Sequence, residues 1–66
     1  MTRSERAALI YACEQLRAET IRVSVRVDEA VAMKNMPETS SVLADRAITA
    51  VMELADYVHS TLRADE

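Results

Sequence analysis

The chain contains no glycine, no tryptophan and no phenylalanine, and only one proline, one cysteine and one histidine. Each shortage excludes something. Without glycine, long helices with few tight turns are expected. Cys13 has no second cysteine to pair with, so a disulfide scaffold is excluded. One cysteine and the distant His59 give no cluster of metal ligands, and no metal or cofactor is expected. No apolar run approaches the roughly 18 residues of a membrane span. The polar opening Met1-Thr2-Arg3-Ser4-Glu5-Arg6 leads into a short apolar run, so no secretory signal and no membrane partner are expected, and the expected location is cytoplasmic.

What is present is a 66-residue chain, half hydrophobic and 29% charged. A chain this short is one domain, here 1–66. It buries only about 60% of its unfolded surface, which leaves a single copy marginally stable. With disulfides and metals excluded, oligomerisation is the remaining support. A catalytic pocket of several hundred cubic ångströms is hard to house at this size, so an enzyme is not expected. Residues 1–34 carry six cations and five anions, whereas residues 35–66 carry two and six. The net charge of −3 disfavours nucleic-acid binding by bulk charge but leaves a local arginine stripe open.

The pattern is helical. Thr2 and Glu5 have the spacing of a capping box. From there Leu9, Cys13, Leu16, Thr20, Val23, Val27 and Ala30 follow at alternating spacings of four and three, a heptad seam. This predicts a first helix over about 3–34 and a turn at 35–39 around Pro37, which disfavours helical geometry at Met36. A second helix is expected over about 40–62, capped by Thr39, Ser40 or Ser41. Its seam is Ala44, Ala47, Val51, Leu54 and Val58, widened by Ile48, Ala55 and Leu62 among others. Residues 63–66 are expected to fray. The fold class is therefore all-α, a two-helix antiparallel hairpin. It should self-associate into a four-helix bundle or a larger oligomer, because a lone hairpin leaves its seam wet. Leu9, Cys13, Leu16, Thr20, Val23 and Val27, with Ala47, Val51, Leu54 and Val58, form the expected oligomer core.

The first helix also has a second apolar stripe, Ala7, Ile10, Ala18, Ile21, Val25 and Ala32, bordered by Tyr11 and interrupted by Glu14 and Asp28. A surface helix is normally polar there. Scattered exposed apolar residues are common; a contact surface for a larger oligomer or a partner protein is the sharper reading. On that reading Ile10, Tyr11, Ile21 and Val25 anchor a partner, with Arg17 and Arg22 at the edge. The protein is then a small non-catalytic regulatory or inhibitory interaction protein.

Residues 20–27 offer a rival. Thr-Ile-Arg-Val-Ser-Val-Arg-Val alternates strictly and is a good strand signal. As a strand it presents Ile21, Val23, Val25 and Val27 on one face and Arg22, Ser24 and Arg26 on the other. A strand followed by two helices resembles the ribbon-helix-helix repressors, in which the polar face of a paired strand enters the DNA major groove. Against it, Pro37 would cut the following helix short, and the heptad runs on unbroken through Thr20, Val23 and Val27.

The segment Met1-Thr2-Arg3-Ser4-Glu5-Arg6-Ala7-Ala8-Leu9, and more loosely Leu16-Arg17-Ala18-Glu19-Thr20-Ile21, resembles the start of the Rop family, the RNA-one modulators of colicin-type plasmids. The likeness covers about the first 30 residues. It implies an αα-hairpin that dimerises and binds kissing RNA loops with its paired first helices, lowering plasmid copy number. Arg3 and Arg26 match the family's lysines, and Arg3, Arg6, Arg17 and Arg26 are the RNA-binding candidates this implies. The family's Asn falls at Ile10 or Tyr11, its Gln at Ala18 or Glu19 and its Phe at Glu14 or Gln15, so a stacking aromatic and amides are replaced.

Overall fold

The computed structural model of the chain describes residues 1–64. It contains two helices, α1 (Arg3–Ala32) and α2 (Thr39–Ala64), packed side by side in a hairpin 48 Å long, 16 Å wide and 10 Å thick. There is no strand among the described residues, and positions 20–27 lie inside α1. This corrects the ribbon-helix-helix reading: the β-branched residues of that segment take up helix because the heptad around them packs on α2. A few tenths of a kcal/mol of unfavourable propensity per residue does not outweigh that burial. Thr20 accommodates the helix by donating its hydroxyl back to the Leu16 carbonyl at 2.7 Å.

The start of α1 follows the capping box. The Glu5 backbone N–H donates to Thr2 Oγ1 at 3.2 Å, and the Thr2 N–H donates to Glu5 Oε1 at 3.2 Å. Hydrogen bonding of its carboxyl to the Thr2 side chain, and to the Thr2 backbone N–H, holds Glu5 below its ordinary pKa. At the other end α1 closes at Ala32, two residues before the expected limit. Lys34 adopts a left-handed backbone, φ 63°. Its N–H donates to the Val31 carbonyl, and the Asn35 N–H reaches back to Ala30 at 2.8 Å. That is a Schellman ending with lysine where glycine is normally preferred. Helix α2 begins at Thr39, so Ser40 and Ser41 lie inside it and Glu38 holds the position just before. Ser41 donates its hydroxyl to the Asp28 carboxylate at 2.8 Å instead of capping, and so ties the two helices together beside the turn. At the far end Arg63 and Ala64 are helical; Asp65 and Glu66, also expected to fray, lie outside the described residues.

Each helix turns one heptad face to the other. On α1 this face comprises Ile10, Cys13, Thr20, Ser24, Val27 and Val31, with Arg6, Leu9 and Ala30 also half-buried; on α2 it comprises Ser41, Ala44, Ile48, Val51, Ala55, Val58 and Leu62, with Ser40 and His59 also half-buried. Only Cys13, Ser24 and Leu62 are buried among the described residues. No side chain there is sealed from solvent completely. A hairpin two helices deep has no third layer with which to close its core.

Candidate interaction surfaces

The expected seam is only partly used inside the hairpin. Cys13 is buried, and Leu9, Thr20, Val27, Val51 and Val58 are half-buried. Leu16, Val23 and Leu54 remain 45%, 57% and 49% exposed, and Ala47 is exposed as well. The reason is rotational. The row of α1 that faces α2 runs 10, 13, 17, 20, 24, 27, with Arg17 exposed on it, whereas the expected row runs 9, 13, 16, 20, 23, 27. At 3.5 residues per turn these rows differ by about 50°. The same offset applies on α2, where Ile48 and Ala55 face α1 and Ala47 and Leu54 stand beside them.

Helical sense and the antiparallel arrangement put both offsets on the same broad side. Leu9, Leu16, Val23 and Ala30 of α1 therefore stand next to Ser40, Ala47, Leu54 and Thr61 of α2. The placement is visible at the open end of the hairpin, where Leu9, Tyr57, Val58 and Thr61 line one shallow depression. The opposite broad side carries Ala7, Glu14, Ile21 and Asp28 of α1 beside Asp45, Met52 and His59 of α2. The Asp28–Ser41 hydrogen bond lies there.

The expected partner-binding residues divide. Tyr11, Ile21 and Val25 are exposed on the second side and its α1 margin. Ile10 belongs to the covered row of α1 and is half-buried, so it stands apart from them. Arg17 is exposed on the α2-facing row. Arg22 lies on the back of α1, in an ion pair with Glu19 at 2.6 Å. The arginines of the RNA reading do not converge. Arg3 and Arg6 border one depression near the N-terminus, Arg17 is three turns further on, and Arg26 leans toward the first side, 3.9 Å from Glu29. Among the described residues no three His, Cys, Asp or Glu side chains are grouped to hold a metal, and no helix is long and apolar enough to cross a membrane.

Sequence reasoning missed three features: the burial of Ser24, the Asp28–Ser41 tie and the placing of Asp45 on the side that holds Glu14 and Asp28. Ser24 has a small polar side chain, which reads as surface in a helical pattern. The other two depend on the facing helix and have no local signal.

No family model matches the chain, and neither the curated proteins nor the solved structures contain a match.

Proposed function

We propose that this protein is a small non-catalytic interaction protein that binds a macromolecular partner through the side of α1 carrying Tyr11, Ile21 and Val25. The observation that carries this reading is that these three large side chains stay exposed at helical spacing on a side that α2 does not cover. Exposed aromatic and aliphatic residues set among polar ones are the usual anchors of a protein contact. The surroundings indicate the chemistry of the partner. Glu14, Asp28 and Asp45 lie on this side, and the chain carries a net charge of −3. A protein segment with apolar anchors and flanking cations complements such a surface, whereas a nucleic-acid backbone is repelled by it.

The test is affinity enrichment with the wild-type chain and with the Ile21→Asp/Val25→Asp double variant, each checked for mass and helix content. A partner retained by the wild type and lost by the variant is the expected result. A partner set and a mass that both ignore the double variant would overturn the reading. Hairpin RNA is included as a probe at low salt; RNA binding that falls steeply with salt would favour the Rop-like alternative through Arg3, Arg6, Arg17 and Arg26.

A further inference from the structure

We propose that the first broad side, formed by Leu9, Leu16 and Val23 of α1 with Ala47 and Leu54 of α2, is covered by a second copy of this chain related by a two-fold axis. This inference is independent of the partner surface on the opposite side.

Four observations lead to it. First, Leu16 and Val23 of α1 and Ala47 and Leu54 of α2, all exposed, lie on one side of the hairpin, so they form a surface and not a single stripe. Second, the inner positions of that surface are free of charge, and Arg26 stands at its outer margin beside Val23. Leu9, Leu16, Val23, Ala30, Ser40, Ala47, Leu54 and Thr61 occupy its inner positions, and none is ionisable. The opposite side presents Glu14, Asp28 and Asp45, and pairing it with its own copy would bring carboxylates together in a drying interface. Third, the size fits. A hairpin 48 Å long and 16 Å wide projects a footprint on the order of 750 Å², the scale needed to bury the roughly 800 Å² of accessible surface per partner of a standard stable interface. Fourth, the rotation fits. A helix at the corner of a four-helix bundle directs its apolar stripe about 45° away from its hairpin neighbour, toward the bundle axis. The offset on both helices, about 50°, has that size and sense.

The occupant must also be present whenever the chain is folded. With only Cys13 and Leu62 as buried apolar residues among those described, the hairpin has almost no core of its own. Folding then depends on covering Leu16, Val23 and Leu54, and an identical chain is the one partner always available in equal amount. A two-fold contact lets each copy cover the other with the same residues.

Sedimentation equilibrium of the full chain, freed of nucleic acid and held at micromolar concentration, tests this. The wild type is expected at twice 7.4 kDa. Val23→Lys and Leu54→Lys should each weaken association by about 100-fold, while Ile21→Lys should change it by less than about threefold. A one-chain mass for the folded wild type overturns the proposal. So does a two-chain mass that survives Val23→Lys and Leu54→Lys but is lost in Ile21→Lys. Should the lysine variants lose their helices, Val23→Ala and Leu54→Ala take their place. These should weaken association by about tenfold each and make the melting midpoint more dependent on concentration, and Ile21→Ala should do neither. Equal effects of all three alanine variants would overturn it.

Discussion

Val23 and Val25 are the same residue, two positions apart on one helix, and about equally exposed, at 57% and 52%. Leu54 and Met52 form a second such pair on α2, at 49% and 47%. Yet each pair is split between the two broad sides of the hairpin. Val23 and Leu54 stand on the side whose inner positions are leucine, alanine, serine and threonine, with Arg26 at its margin. Met52 stands on the side that also holds Glu14, Asp28 and Asp45, and Val25 borders it. Exposure alone therefore does not tell what a residue does here. What differs is the company it keeps, because an apolar side chain can be dried cheaply only when its neighbours can be dried with it.

The largest expected effect sets the two sides against each other. Val23→Lys should weaken self-association by on the order of 100-fold, close to 3 kcal/mol, whereas Val25→Lys should leave it nearly unchanged; sedimentation of the two variants side by side checks this. Equal losses would erase the distinction between the sides. Next comes the seam that both sides share. Leu62→Ala should cost about 2 kcal/mol of stability in urea unfolding, since it empties one of the few buried positions. It should do so without separating the copies at concentrations where they remain folded.

Smaller effects come from the ends of α1, which belong to neither side. Lys34→Gly should stabilise the protein by about 1 kcal/mol, because the left-handed backbone at φ 63° penalises a side chain. Thermal unfolding of this variant is the check, and an unchanged or lower midpoint would contradict it. The smallest effect is acid sensitivity at the capping box. The carboxyl of Glu5 is held below its ordinary value of 4.5 by the bonds from Thr2. Its contribution is therefore present above that value and lost as the pH falls through the lower folded value. Glu5→Gln should remove this increment of the pH dependence in helix content while leaving the mass unchanged.

Much of the fold was legible in the sequence, and the reasons are specific. The heptad from Leu9 to Ala30, the Thr2–Glu5 box and Pro37 predict two helices and their turn, and α1 and α2 are found there. The strict alternation at 20–27 was the chief ambiguity; the unbroken heptad on either side resolves it in favour of helix. What could not be read was which half of each stripe the hairpin itself covers. A residue set such as 9, 13, 16, 20, 23, 27 looks like one seam in sequence, but in three dimensions it spans the contact with α2 and an open side. Ser24 shows the same limit: a seam position held by a small polar residue has no hydrophobic signal, and its burial emerges only against α2. The left-handed ending at Lys34 was hidden because a chain without glycine gives no sign of where such a residue falls.

Hydroxyl-radical footprinting of the wild-type chain across a dilution series tests the two-sided arrangement most directly, since it reads both sides in one sample. Leu16, Val23 and Leu54 should be protected at high concentration and become reactive on dilution, while Tyr11, Ile21 and Met52 stay reactive throughout. Protection of Ile21 and Met52 in place of Leu16 and Leu54, or no protection of either group, would contradict it.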